Sequence, residues 1–107
     1  MKTIVWVTAQ FEAFHRWKDA PEDVSFLRNY HRHIFHVKLG KEVTHGDRQI
    51  EFIQLKRELE LYIREKFEGG RFEYSCEMLA SALHVEFGAY FVQVSEDGEN
   101  GAIVQRD

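Results

Sequence analysis

"NYHRHIFHVKLGKEV", residues 29–43, holds three of the chain's six histidines. From His31 onward it alternates. His31, His33, Phe35, Val37 and Leu39 share one parity, while Arg32, Ile34, His36 and Lys38 take the other. Side chains of a strand point to opposite faces in turn, so the pattern predicts a strand over 31–43 with one apolar face. His31 and His33 then stand on that face, roughly 6.5 Å apart along the strand. Such histidines are open to three readings: surface residues, core residues or metal ligands.

The stretch before it answers in kind. Over Thr3–His15, Val5, Val7, Ala9, Phe11, Ala13 and His15 share one parity, and the run is rich in β-formers. The other parity carries Ile4, Trp6 and Phe14 among polar residues, so both faces are expected to be partly covered. A hairpin of these two strands would bring His15 beside His31 and His33. A cation could then take three ring nitrogens, and zinc with three histidines and one open position is the catalytic arrangement. His36 has the opposite parity and is expected to point away, and His45 falls in the turn "THGDRQ", residues 44–49.

Between the strands, Lys18–Phe26 holds the single proline, Pro21, among acidic residues and reads as a loop. A helix is expected over 52–67. Phe52, Leu55, Leu59, Tyr62 and Ile63 fall at helical spacing, and "EGG" at 68–70 stops it. A second helix is expected over 75–87, with Ser75 as N-cap, Leu79, Ala82 and Leu83 as the buried stripe, and Gly88 at C′. Tyr90–Val94 reads as a third strand, "EDGENG" at 96–101 as a hairpin loop, and Ala102–Gln105 as a fourth strand. The order β-β-α-α-β-β predicts an α+β domain, an antiparallel sheet with two helices on one face.

Composition bounds the rest. A chain of 107 residues suggests a single domain over 1–107. Its 44% hydrophobic and 30% charged residues are a globular balance. A net charge of -4 argues against a nucleic-acid partner, because phosphate contacts need clustered Lys and Arg. Cys76 is the sole cysteine, so no internal disulfide forms. The N-terminus lacks the pattern of a signal peptide and no run is long enough to span a membrane, so a cytoplasmic setting is the expectation.

Taken in order, "FEAFHRW" (11–17), "HRHIFHV" (31–37), "IEFIQLKREL" (50–59), "YSCEMLA" (74–80) and "VQVSED" (92–97) resemble the 6-pyruvoyl-tetrahydropterin synthase and 6-carboxy-tetrahydropterin synthase family. That family has F-x-A-A-H at the end of strand one, H-G-H-x-Y at the start of strand two and a D-F pair before helix one. It has P-T-x-E opening helix two and a glutamate after strand three. The resemblance covers almost the whole chain. It implies the tunnelling fold, whose subunits join sheets into rings, here a homo-oligomer of trimers or stacked trimers with sites between subunits. It implies a zinc-dependent lyase or synthase acting on a dihydropterin such as 7,8-dihydroneopterin triphosphate. The zinc ligands carry over to His15, His31 and His33. The groups that hold the pterin ring carry over to Ser75, Glu77 and Glu96. A carboxylate suits that task because it accepts two parallel N–H bonds from an aminopyrimidine edge.

The chain departs from the family where protons move. The synthases use a cysteine four residues before the first histidine of H-G-H; here Leu27 stands there. A variant branch uses a glutamate one residue later, where this chain has Arg28. The Asp-His pair expected between the helices is absent from "LYIREKFEGGRFEYS", residues 61–75, and Glu51 replaces the aspartate of the D-F pair. Two other groups stand as catalytic candidates. Cys76 opens helix two, where a helix terminus lowers a thiol pKa, and His84 lies on the same helical face as Glu77. Each also has a purely structural reading, a packed thiol and a half-buried histidine. Arg28 and Arg32 are candidates to reach a substrate phosphate. Three functional classes follow: the enzyme, a catalytically degenerate zinc module that binds a pterin- or purine-like ligand, and a scaffold whose histidines only pack.

Overall fold

The alternation over 3–15 and 31–43 produces the two longest strands, β1 (Thr3–His15) and β2 (His31–Val43). The computed structural model describes all 107 residues. β1 and β2 pair antiparallel without a bulge, from Thr3 opposite Val43 to His15 opposite His31. This register places both apolar parities on one face: Val7, Ala9, Phe11 and Ala13 beside Phe35, Val37 and Leu39, all buried. A slip of one residue would turn either set to water, so burial itself holds the register. The three histidines close the same face at one end.

Two helices cover that face. In α1 (Phe52–Lys66), Leu55, Leu59 and Ile63 are buried, and the carboxylate of Glu51 caps the N-terminus by accepting from the amides of Ile53 and Gln54. Glu51 thus has a structural role as the N-cap of α1. In α2 (Cys76–Phe87), Ser75 accepts from the Met78 amide, and Gly88 ends the helix in the left-handed region at φ 57°. Both caps fall where the residue pattern predicts them. The stripes differ in detail. Phe52 and Ala82 are exposed, and Cys76, Leu79, Ala80 and Leu83 form the buried side of α2. Side chains from both helices join the sheet in one hydrophobic cluster, which makes this a single core.

The sheet has five strands rather than four. β3 (Arg71–Phe72) pairs with Phe14 and His15 of β1, and β4 (Phe91–Glu96) and β5 (Asn100–Gln105) continue from β2. The order is β3-β1-β2-β4-β5, a curled, half-barrel sheet. The expected all-antiparallel sheet is corrected: β3 runs parallel to β1, so the sheet is mixed. Past α1 the chain is guided onto the β1 edge by backbone bonds from Gly69 to the Glu12 carbonyl and from Phe14 to the Gly70 carbonyl. Two residues are too few to carry a period, so this strand leaves no signal in the sequence. The expected loop over Lys18–Phe26 also gains structure, a 3-10 segment over Glu22–Arg28 that is kinked at Val24. The last hairpin is tighter than expected. β4 reaches Glu96 and β5 starts at Asn100, with Asp97 and Gly98 turning at positive φ. No helix is long and apolar enough to cross a membrane.

Gly101 marks the close approach in this hairpin. A Cβ there would meet the Val94 carbonyl and lie 2.6 Å from the Ser95 Cα, both backbone atoms. Gly101→Ala is therefore expected to destabilise the domain by roughly 1–3 kcal/mol, the usual range for overpacking. A urea denaturation midpoint equal to wild type would refute this.

Candidate metal centre

β1 ends and β2 begins at the same edge of the apolar face, and there the three imidazoles meet. One nitrogen of each of His15, His31 and His33 lies within 4.8 Å of the others. The rings meet edge to face, with centroids 4.7, 5.3 and 5.0 Å apart for the 15–31, 15–33 and 31–33 pairs. His15 is buried, at 7% exposure, and packs edge-on against Phe35.

Hydrogen bonds define how each ring is turned. Nδ1 of His15 lies 2.8 Å from the Tyr74 carbonyl, and Nδ1 of His31 lies 2.8 Å from the Asn29 carbonyl. Nδ1 of His33 lies 2.6 Å from Oδ2 of Asp97. These oxygens only accept, so each Nδ1 donates and carries the proton. In the neutral ring Nε2 then keeps its lone pair. A metal-ligating histidine has this pattern, one nitrogen anchored by a carbonyl or carboxylate and the other free to coordinate. Asp97 is itself held, its Oδ1 accepting from the Ile34 amide at 2.9 Å. That amide bond, with the His33 ring, keeps the Asp97 carboxyl below its usual range.

Glu96 completes the group. It lies opposite Phe35 in the β2–β4 pairing and follows the buried Val92 and Val94 on the same parity, so its carboxylate faces the histidines. Its Oε2 is 2.8 Å from Nε2 of His15 and its Oε1 3.6 Å from Nε2 of His33. The shorter contact is an ion pair when His15 carries a proton on Nε2 as well. Burial opposes charge on His15, yet the Glu96 carboxylate and the Tyr74 carbonyl outweigh it, so its pKa is raised. The Glu96 carboxyl is lowered by His15 against its own burial, with help from His33 and His31. The site therefore favours a positive charge between imidazole and carboxylate, and the donor set suits a divalent ion.

No family model matches this sequence, and no curated protein does.

A cavity of about 530 Å³ opens beside the histidines. His15, His31, Ser75, Cys76, Glu77 and Glu96 all line it, so most of the candidates drawn from scattered segments converge. Ser75 uses its oxygen as an acceptor for the Met78 amide, and the Glu77 carboxylate is exposed in the first turn of α2. His84 does not line the cavity; it sits further along α2, half-buried, with Nε2 unpartnered. Arg28 and Arg32 are held elsewhere, Arg28 by the Ala20 carbonyl and Glu22, Arg32 by Glu12 at 2.7 Å. The arginine at the cavity is Arg16, which reaches Glu73 at 3.4 Å and stacks over Tyr30. It follows His15 directly, but no spacing rule singled it out. Asp97 lies in the expected hairpin loop and carries no local signal of a site.

Cys76 reverses its expectation. Burial pushes the thiol up from 9.0 to about 12, and the charges of Glu96 and Glu77 push the same way. The helix terminus does not overcome these effects, so the thiol is neutral at pH 7. Two outcomes follow. At pH 8 the native protein should react with a thiol reagent far more slowly than the urea-unfolded chain. The second concerns alkali. A folded-state pKa above the unfolded one gives a contribution that is full below pH 9.0 and lost as the pH climbs toward about 12. Cys76→Ala should show a shallower alkaline loss of stability over that window; an identical profile would refute the assignment.

Proposed function

We propose that this chain is a zinc protein of the 6-pyruvoyl- or 6-carboxy-tetrahydropterin synthase type, acting as a lyase or synthase on a dihydropterin such as 7,8-dihydroneopterin triphosphate. The observation that carries it is the set of three clustered imidazoles, each with Nδ1 anchored on an oxygen, beside a cavity that also holds Ser75, Glu77 and Glu96. His15, His31 and His33 would hold the zinc, which when bound supplies a Lewis acid for the oxygens of the substrate side chain.

The chain's own groups supply the rest. Glu77 is exposed and free of hydrogen bonds within the chain, so it can accept paired N–H bonds from a ring edge. Ser75 can donate its hydroxyl hydrogen while its oxygen caps α2. Leu27, Trp17 and Met78 give the cavity an apolar lining for a flat ring. Arg16 is the cation within reach of a phosphorylated side chain. The tunnelling fold and a ring of subunits accord with two open edges: β5 on one side, and on the other the part of β1 that β3 leaves unpaired. Unpaired edges favour joining to another strand, so a homo-oligomer, trimeric or of stacked trimers, is part of the proposal, as is a cytoplasmic setting.

One observation favours a second reading. The Cys76 thiol is held neutral, and Leu27 stands where the family's cysteine does. Without a proton-transfer group the same site would bind a pterin- or purine-like ligand without turning it over. The experiment measures zinc per chain in protein purified without added metal, then the release of triphosphate from 7,8-dihydroneopterin triphosphate. Zinc with turnover supports the enzyme, and zinc with ligand binding but no turnover supports the binding module. No zinc, even after reconstitution, would end both.

A further inference from the structure

We propose that Glu96 is a fourth protein ligand of the metal, so that the centre is a closed three-histidine, one-carboxylate site until a ligand displaces the carboxylate. The inference rests on the zinc reading above and assigns Glu96 to the ion rather than to a substrate ring.

The geometry argues it in three steps. First, the β2–β4 register puts Glu96 on the histidine face, where Oε2 lies 2.8 Å from Nε2 of His15 and Oε1 3.6 Å from Nε2 of His33. Donor atoms that share a tetrahedral ion, with bonds of roughly 2.0–2.2 Å, stand about 3.3 Å apart. The two observed separations bracket that value. Second, the carboxylate spans two of the three imidazoles, one oxygen toward His15 and the other toward His33. Third, the tautomers leave no proton on Nε2 in the neutral rings, because each Nδ1 donates to its own acceptor. The 2.8 Å contact between Nε2 of His15 and the carboxylate therefore needs a cation between them, a proton when the site is empty and the metal ion when it is loaded.

A carboxylate suits this exchangeable position. It neutralises part of the ion's charge when the cavity is empty, and its 29% side-chain exposure leaves it room to swing aside. An oxygen donor from a bound ligand could then take its place. Glu77 remains as the cavity carboxylate free to hold a ring.

The test needs no turnover. Zinc affinity would be measured by competition with a chromophoric chelator for wild type, Glu96→Gln and Glu96→Asp, with circular dichroism as the check on folding. Visible spectra of the cobalt-substituted proteins would report the ligand set. Glu96→Gln is expected to bind zinc ~10–100-fold more weakly or worse, since even the outer groups of a zinc site are worth that much. Its cobalt spectrum should change, and Glu96→Asp should recover part of both. Equal affinity and an unchanged cobalt spectrum in Glu96→Gln would overturn this assignment while leaving the zinc reading intact. A wild type that binds neither zinc nor cobalt would overturn both.

Discussion

Phe35→Ala is expected to lower the free energy of unfolding by about 3–5 kcal/mol. Phe35 is fully buried, at 0% exposure, two residues past His33 in β2. Its ring stacks on Phe11 at 5.2 Å and meets His15 edge-on at 5.1 Å, with Phe72 at 6.0 Å and His33 at 5.9 Å. Truncation removes the transfer energy of the ring and leaves a cavity with walls on several elements, which limits collapse. A domain of this size holds only ~5–15 kcal/mol in all, so the loss would be a large fraction. The measurement is the urea midpoint at constant slope. Phe26→Ala makes the same chemical change at 69% exposure and should stay within about 0.5 kcal/mol of wild type. Comparable losses in the two variants would mean that the core is not where the fold places it. Because Phe35 also floors the histidines, its loss should weaken metal binding as well.

His15→Ala is expected to weaken zinc binding severely. Apparent zinc binding in small four-ligand sites amounts to ~10–16 kcal/mol. An even share per ligand would make the loss on the order of 10²–10³-fold in affinity. His31→Ala and His33→Ala should lose comparable amounts. His36→Ala is the informative control. It lies three residues from His33 but on the opposite parity, exposed, among Thr8, Gln10, Lys38 and Gln93. His45 lies in the turn, where it accepts from the Asp47 amide. Neither should change the zinc content. If His36→Ala cost as much as His33→Ala, the cluster would not be the site. His15 is buried, so His15→Gln, with its circular dichroism, separates loss of the ligand from loss of the fold.

How much of this was readable in advance depended on the range of the physics involved. The long strands were legible because period-2 alternation is local and runs over thirteen residues in each. The α2 caps were legible too, since Ser75 and Gly88 act on their own helix ends. The meeting of His15 with His31 and His33 followed from parity plus the assumption of a hairpin, and the register bears it out. Phe52 and Ala82 went wrong because helical spacing names a face only to within one position, and packing chooses between neighbours. β3 was invisible because it exists only through its pairing with β1.

The amino-acid sequence by itself determined the long strands and the two α-helices, their order, the apolar face and the row of histidines at its end. These depend on rotation per residue, cap chemistry and which side chains water rejects. Only the tertiary structure decided what surrounds those histidines. It turned Nδ1 of each toward Tyr74, Asn29 or Asp97, brought Glu96 against Nε2 of His15, and gave the cavity Arg16 instead of Arg28 or Arg32. It also raised the Cys76 thiol, against the effect expected of a helix terminus. Each of those outcomes is a distance or a loss of water between residues far apart in the chain. Electrostatic and coordination energies vary with such distances, and no local pattern encodes them.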